Sequence, residues 1–151
     1  MSGSIHLATA LVRREDCILL VASSYPNHAQ PLWNLPGGRQ KRGELLADTA
    51  LRELREETGL QGRVLELAYV SESYDAQTHF LNCTFLVDAG GEAALEYDER
   101  DHIVKVEWVR RTALAQRIAV NVVREPLLAY LRDGMRYTGY AEAGISIVFP
   151  D

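Results

Sequence analysis

Three carboxylates, Glu53, Glu56 and Glu57, stand at i, i+3 and i+4 in the run RELREETGL (Arg52 to Leu60). On a helix, ~100° per residue gathers them within an arc of about 100°. That arc borders a stripe of leucines, so the three charges sit at the edge of a core. Like charges at this spacing oppose one another by about 0.2–0.5 kcal/mol per pair, and partial burial strengthens the repulsion. A helix C-terminus, where the dipole is negative, adds to it. Such a cluster calls for a cation. Arg52, four residues before Glu56, is one, and a divalent metal is the better one. All-oxygen donors suit Mg²⁺ or Mn²⁺, and Mg²⁺ commonly shares carboxylates with substrate phosphate oxygens. Taken alone, the run reads first as a solvated helix face laced with Arg–Glu pairs, and it is the surroundings that turn the reading to metal.

Upstream, Pro36 is followed by Gly37 and Gly38. Paired glycines allow a tight turn and a close backbone approach to a ligand; a plain turn is the other reading. The segment is no Walker loop. Gly38 and Gly43 have that motif's separation, but Glu44 and Leu45 stand where Lys and Ser/Thr would grip phosphate and metal.

Gly38, five residues, Glu44, seven residues and then Arg52 to Leu60 match every fixed position of the Nudix box, and on these 23 residues the chain resembles the Nudix (MutT-like) hydrolases. Seven fixed residues at ~7% usage make a chance match rarer than roughly one in a million. The flanking WNLPGG is similar to the family as well. The resemblance implies a single domain over 1–151, an α/β fold of the Nudix-type α/β/α sandwich with a mixed β-sheet. It implies a metal-dependent hydrolase in which water attacks the pyrophosphate of a nucleoside diphosphate linked to another moiety, with Mg²⁺ (or Mn²⁺) as cofactor. Glu53, Glu56 and Glu57 would hold metal, joined by the carbonyl of Gly37, and one glutamate would double as base. Arg52 would orient the carboxylates, and Glu44 would support the loop or reach metal through water. Many members add a carboxylate from just before a late strand. Asp101 is the first choice for it here and Glu99 the second, with a polar loop as the alternative. Positioned charge is what the chemistry needs, because a pyrophosphate is anionic and resists attack by water.

The substrate pocket is harder to read. Tyr25, Trp33, Tyr74, His79 and Phe80 are candidates to stack a base, and Arg39 is a candidate contact from the loop after the glycines. Each aromatic serves equally as packing. Asn121, in the apolar run Ile118 to Val123, would read a base edge or cap a helix. The proline that marks ADP-ribose hydrolases about fifteen residues beyond the box is replaced by Asp75, and the tyrosine of dinucleoside polyphosphate hydrolases is out of register at Tyr74. A non-catalytic Nudix-fold module that senses a nucleotide is the rival reading. Such modules commonly lose box carboxylates, and none is lost here. An isoprenoid diphosphate isomerase needs a catalytic cysteine, whereas Cys83 lies mid-strand without an evident acidic partner. An mRNA-decapping role favours a basic surface.

These groups need elements to carry them. Glu44 to Thr58 repeats Leu46, Ala47, Ala50, Leu51 and Leu54 at helical spacing, and Gly59 stops the helix. Ile5 to Val12 and Cys17 to Val21 are strands about a turn at Arg13 to Asp16. Ser24 to Pro31 is a loop and Trp33 to Leu35 a short strand. Arg63 to Val70 and His79 to Val87 are strands, as is Ile103 to Val109, with Val104, Val106 and Trp108 on one face. Pro126 places a helix start after Glu125, and Ile145 to Phe149 is a terminal strand. A chain of 151 residues with 47% hydrophobic and 25% charged residues suits one domain. No apolar run reaches the ~20 residues of a membrane span. Met1 to Leu11 lacks the pattern of a secretory signal. Two cysteines, Cys17 and Cys83, read as free thiols in a reducing compartment, so a cytoplasmic location is expected. Fourteen arginines and two lysines leave a net charge of −5, which disfavours nucleic acid as a partner. A nucleotide-like small molecule, no membrane, and a monomer or homodimer are the remaining expectations.

Overall fold

The computed structural model describes residues 3–92 and 102–141. Glu99, Asp101 and the terminal strand expected at Ile145 to Phe149 lie outside those residues. Two long strands open the chain, β1 (Gly3–Arg14) and β2 (Cys17–Ser23). They form a hairpin whose two-residue turn holds Glu15 at φ 55, the left-handed twist that such short turns require. Only its mouth is paired, at Arg13–Ile18 and Arg14–Cys17. Beyond it the strands diverge into two wings of one eight-stranded sheet. β1 runs parallel to β6 (Thr78–Ala89) and antiparallel to β4 (Gly37–Arg39), while β6 pairs with β5 (Gly62–Tyr74), which pairs in parallel with β8 (Tyr137–Tyr140). β2 is flanked by β3 (Leu32–Asn34) and β7 (Ile103–Arg110), both antiparallel.

Period-two alternation sends the side chains of β1 and β2 into two cores. Ala8, Ala10, Val12 and Leu19 pack with Ala50 and Leu54 of helix α1 (Leu46–Thr58). Leu11, Ile18 and Leu20 pack with Leu114 of the short helix α2 (Leu114–Arg117) and Leu127 of α3 (Asn121–Asp133). A helix therefore covers each face of a mixed sheet, the expected α/β/α arrangement. No helix among the described residues is long and apolar enough to cross a membrane.

The carboxylate helix forms as its pattern predicts, with Ala50 and Leu54 fully buried and Gly59 closing it at φ 77, its N–H on the Arg55 carbonyl. It begins at Leu46 and not Glu44, because the backbone of Leu45 is extended, at φ −80 and ψ 149. Three expectations need correction. The last helix starts at Asn121, so Pro126 lies inside it. That proline has no N–H for the Val122 carbonyl, and its ring is buried. Asn121 is not the cap; Val120 precedes the helix and its carbonyl takes the N–H groups of Val123 and Arg124. On β7, Val106 and Trp108 do face the α1 core, but Val109 is buried in the other core and Val104 is 47% exposed. β7 is packed on both faces, so one-sided alternation does not hold there. β8 has no counterpart in the sequence reading.

Candidate active site

Helix α1 presents its three glutamates as the spacing requires. Glu53 and Glu57 are 7% and 3% exposed, whereas Glu56 is less covered. Arg52 is the hub. Its Nε donates to Glu44 Oε2 at 2.7 Å, and Nη1 donates to Glu53 Oε1 at 2.9 Å and Glu56 Oε2 at 3.2 Å. Nη2 reaches the carbonyl of Arg39 at 3.2 Å and Glu44 Oε1 at 3.1 Å. A planar five-donor guanidinium is suited to this fan of contacts, and an ammonium is not. Glu44 also accepts from the Thr49 hydroxyl and the Lys41 N–H. The Arg52 hydrogen bonds, helped by Thr49 and Lys41, overcome the burial that opposes them and hold the Glu44 carboxyl at about 2. The same contacts push the Arg52 pKa up.

Gly37 and Gly38 lie on β4 beside this face. The Gly37 N–H donates to Glu57 Oε1 at 3.3 Å, so the contact seen is through the amide. A Cβ on Gly38 would lie 2.6 Å from the Glu53 carboxylate, and one on Gly37 would meet the Ala8 carbonyl at 2.5 Å. Glycine is thus what lets backbone and carboxylates close up. A divalent cation fits the donor set: hard oxygens, two of them on buried carboxylates, beside the backbone of Gly37 and Gly38. Among the described residues no three acidic, imidazole or thiol groups already surround one point. The Arg52 guanidinium joins Glu44, Glu53 and Glu56.

The same two glycines form one edge of a cleft of about 170 Å3 on the α3 side of the sheet. Leu7 and Thr9 of β1, Phe80 and Asn82 of β6, and Tyr69, Ser71 and Ser73 of β5 make its floor. Val120, Val122 and Val123 at the start of α3 face them, and Tyr25, Asn34 and Leu35 close a side. Burial raises the Tyr25 hydroxyl pKa; a bond to Ser23 opposes this and the charge of Glu57 adds to it. Tyr25 lines the cleft and feels the charge of Glu57.

Of the residues singled out from the sequence, Glu44, Arg52, Glu53, Glu56, Glu57 and Gly37 come together, and Tyr25 and Phe80 line the adjoining cleft. Arg39 is exposed on β4 and joins the group through its carbonyl. Others are placed elsewhere. Tyr74 stacks on His79 with ring centres 4.5 Å apart, on the sheet face opposite Phe80, where Glu72 bridges His79 and Tyr137. Trp33 carries the Arg117 guanidinium 4.8 Å above its ring, and Arg117 also pairs with Glu107. Asn121 does not line the cleft, although Val120 and Val122 on either side of it do. Sequence reasoning missed the polar floor. Its signal was present, since Asn82 and Thr84 lie two apart in an otherwise apolar strand, on one face.

A family model described as the NUDIX domain matches residues 5–131. Among curated proteins, an ADP-ribose pyrophosphatase of Methanocaldococcus jannaschii is 31% identical over 103 residues, covering 64% of this chain and 60% of its own. A NAD-capped RNA hydrolase NudC of Vibrio atlanticus is 28% identical over 132 residues, covering 87% of this chain and 46% of its own. The chain therefore spans about half the length of these relatives. Among solved structures, a NUDIX hydrolase from Nitrosomonas europaea superposes with a TM-score of 0.75 at 22% identity, covering 89% of this chain and 92% of that one. At that identity the likeness concerns the fold, and the fold, the intact box and the match over residues 5–131 agree: this chain belongs to the NUDIX domain family.

Proposed function

We propose that the protein is a metal-dependent hydrolase that cleaves the pyrophosphate of a nucleoside diphosphate linked to another moiety, of the nucleoside triphosphate, ADP-ribose or dinucleoside polyphosphate class. The observation that carries this reading is adjacency. Gly37 and Gly38 border the buried carboxylates of α1 on one side and the apolar cleft on the other. A ligand with its base in the cleft brings its phosphates to the carboxylates. The names of the relatives, an ADP-ribose pyrophosphatase and a NAD-capped RNA hydrolase, agree with such a substrate.

Glu53, Glu56 and Glu57, with the carbonyl of Gly37, would hold Mg²⁺ or Mn²⁺. A cation bound there neutralises phosphate oxygens and makes a nearby water more acidic. One box glutamate accepts the proton of the attacking water. A new phosphorus–oxygen bond forms, the anhydride bond breaks, and the other phosphate leaves with the bridging oxygen. Arg52 keeps the carboxylates aligned. Tyr25 and Phe80 hold the nucleoside, and Asp101 is the proposed additional carboxylate.

The test is a panel of these substrates with Mg²⁺ or Mn²⁺, with products resolved by ion exchange. A nucleoside monophosphate should be released, and chelator should abolish its release. Glu53→Gln and Glu57→Gln should each lower turnover by about 100-fold or more. Full turnover in both variants would remove the glutamates from the site. Nucleotide binding without turnover in the native chain would turn the reading to a sensor.

A further inference from the structure

The cleft proposed to hold the nucleoside has apolar walls and a polar floor. On the three central strands, Thr9, Thr84 and Tyr69 form one row and Leu7, Asn82 and Ser71 the next. Thr9 and Thr84 share a 2.6 Å hydrogen bond. The Asn82 amide nitrogen faces three hydroxyls, Thr84 at 3.2 Å, Thr9 at 3.4 Å and Ser71 at 3.5 Å. The amide nitrogen is thus the end turned to the hydroxyls. The other end, Oδ1, is buried and finds no donor among the described residues. Buried acceptors are nearly always satisfied, and one left open beside a cleft awaits a donor from the ligand.

We infer that Asn82 is a specificity-determining residue: its amide oxygen accepts an N–H from the exocyclic amino group of the bound base. This rests on the nucleotide reading above and narrows it. Adenine and cytosine carry such a donor where hypoxanthine and uracil carry a carbonyl. A carbonyl there would face the amide oxygen with no proton between them. Val122 and Val123 of α3 lie across from the floor and suit a flat ring.

Two matched pairs test this: AMP against IMP and CMP against UMP, in calorimetry. The corresponding triphosphates are followed in turnover with Mg²⁺. The amino member of at least one pair should bind about tenfold or more tightly, and Asn82→Leu should bring that ratio near one. Asn82→Asp, which keeps an acceptor in the same place, should retain the preference; it also guards against a leucine variant that does not fold. Equal binding within both pairs, a preference for the keto member, or a ratio unchanged in Asn82→Leu would overturn the inference. The two readings fail separately. Turnover without an amino preference removes the role of Asn82 and keeps the hydrolase. An amino preference without turnover keeps the role and removes the hydrolase. Binding of none of the four removes the role of Asn82.

Discussion

A carboxylate at the start of a helix can be held ionised by one well-placed guanidinium, and Glu44 is held at about 2 against an ordinary 4.5 by Arg52. The shift is downward, so its contribution to stability is present above pH ~4.5 and is lost as pH falls towards 2. Glu44→Gln should destabilise the fold by about 2 kcal/mol at pH 7. In urea melts the gap between variant and parent should narrow between pH 5 and 2; a gap independent of pH would mean that the carboxylate acts by shape alone. Gly38 makes a different point. A Cβ there would strike the end of a flexible side chain, the Glu53 carboxylate at 2.6 Å. Gly38→Ala should therefore leave the fold nearly as stable and displace Glu53, lowering turnover by roughly 10- to 100-fold. A variant as active as the parent would show that Glu53 need not stay where it lies. These charged positions were legible because i, i+3, i+4 spacing and fixed motif offsets translate directly into a helix face. The meeting of Asn82 with Ser71 was not, because it arises only when β5 and β6 pair, and no local spacing encodes that register.

At the scale of elements, α1 stays in place through a short list of contacts. Leu54 is wholly buried among Ala8, Ala10, Val12 and Leu19, so Leu54→Ala should lower stability by about 3 kcal/mol. Chemical denaturation checks this, and a change under about 1 kcal/mol would mean that the helix is anchored elsewhere. The long strands and α1 were readable because their hydrophobic periods are regular over many residues. α3 misled through Pro126, which as a rule marks a first turn but here sits in a helix whose apolar face outweighs one missing backbone bond. β8 is four residues long and takes its shape from pairing with β5, so it left no local pattern. Val104 was assigned by alternation to a face whose covering only the position of β7 between two cores decides.

For the molecule as a whole, the proposed metal site would couple folding to metal. A ligand that binds only the native state at ~100 times its dissociation constant adds about 2.7 kcal/mol, or about 5–10 °C in Tm for a domain of this size. Calorimetric melts with Mg²⁺ or Mn²⁺ should show that rise, and a variant carrying Glu53→Gln and Glu57→Gln should not. A parent chain indifferent to both cations would contradict the metal site. The sheet between the two helices has one more consequence. Ala8, Ala10 and Val12 of β1 lean toward the charged helix, while Leu7, Thr9 and Leu11 lean toward the cleft side. One strand thus keeps two ledgers of residues, interleaved in sequence and separated in space. Mutation can reshape the cleft, one alternate residue at a time, and leave the carboxylate face of the molecule as it was.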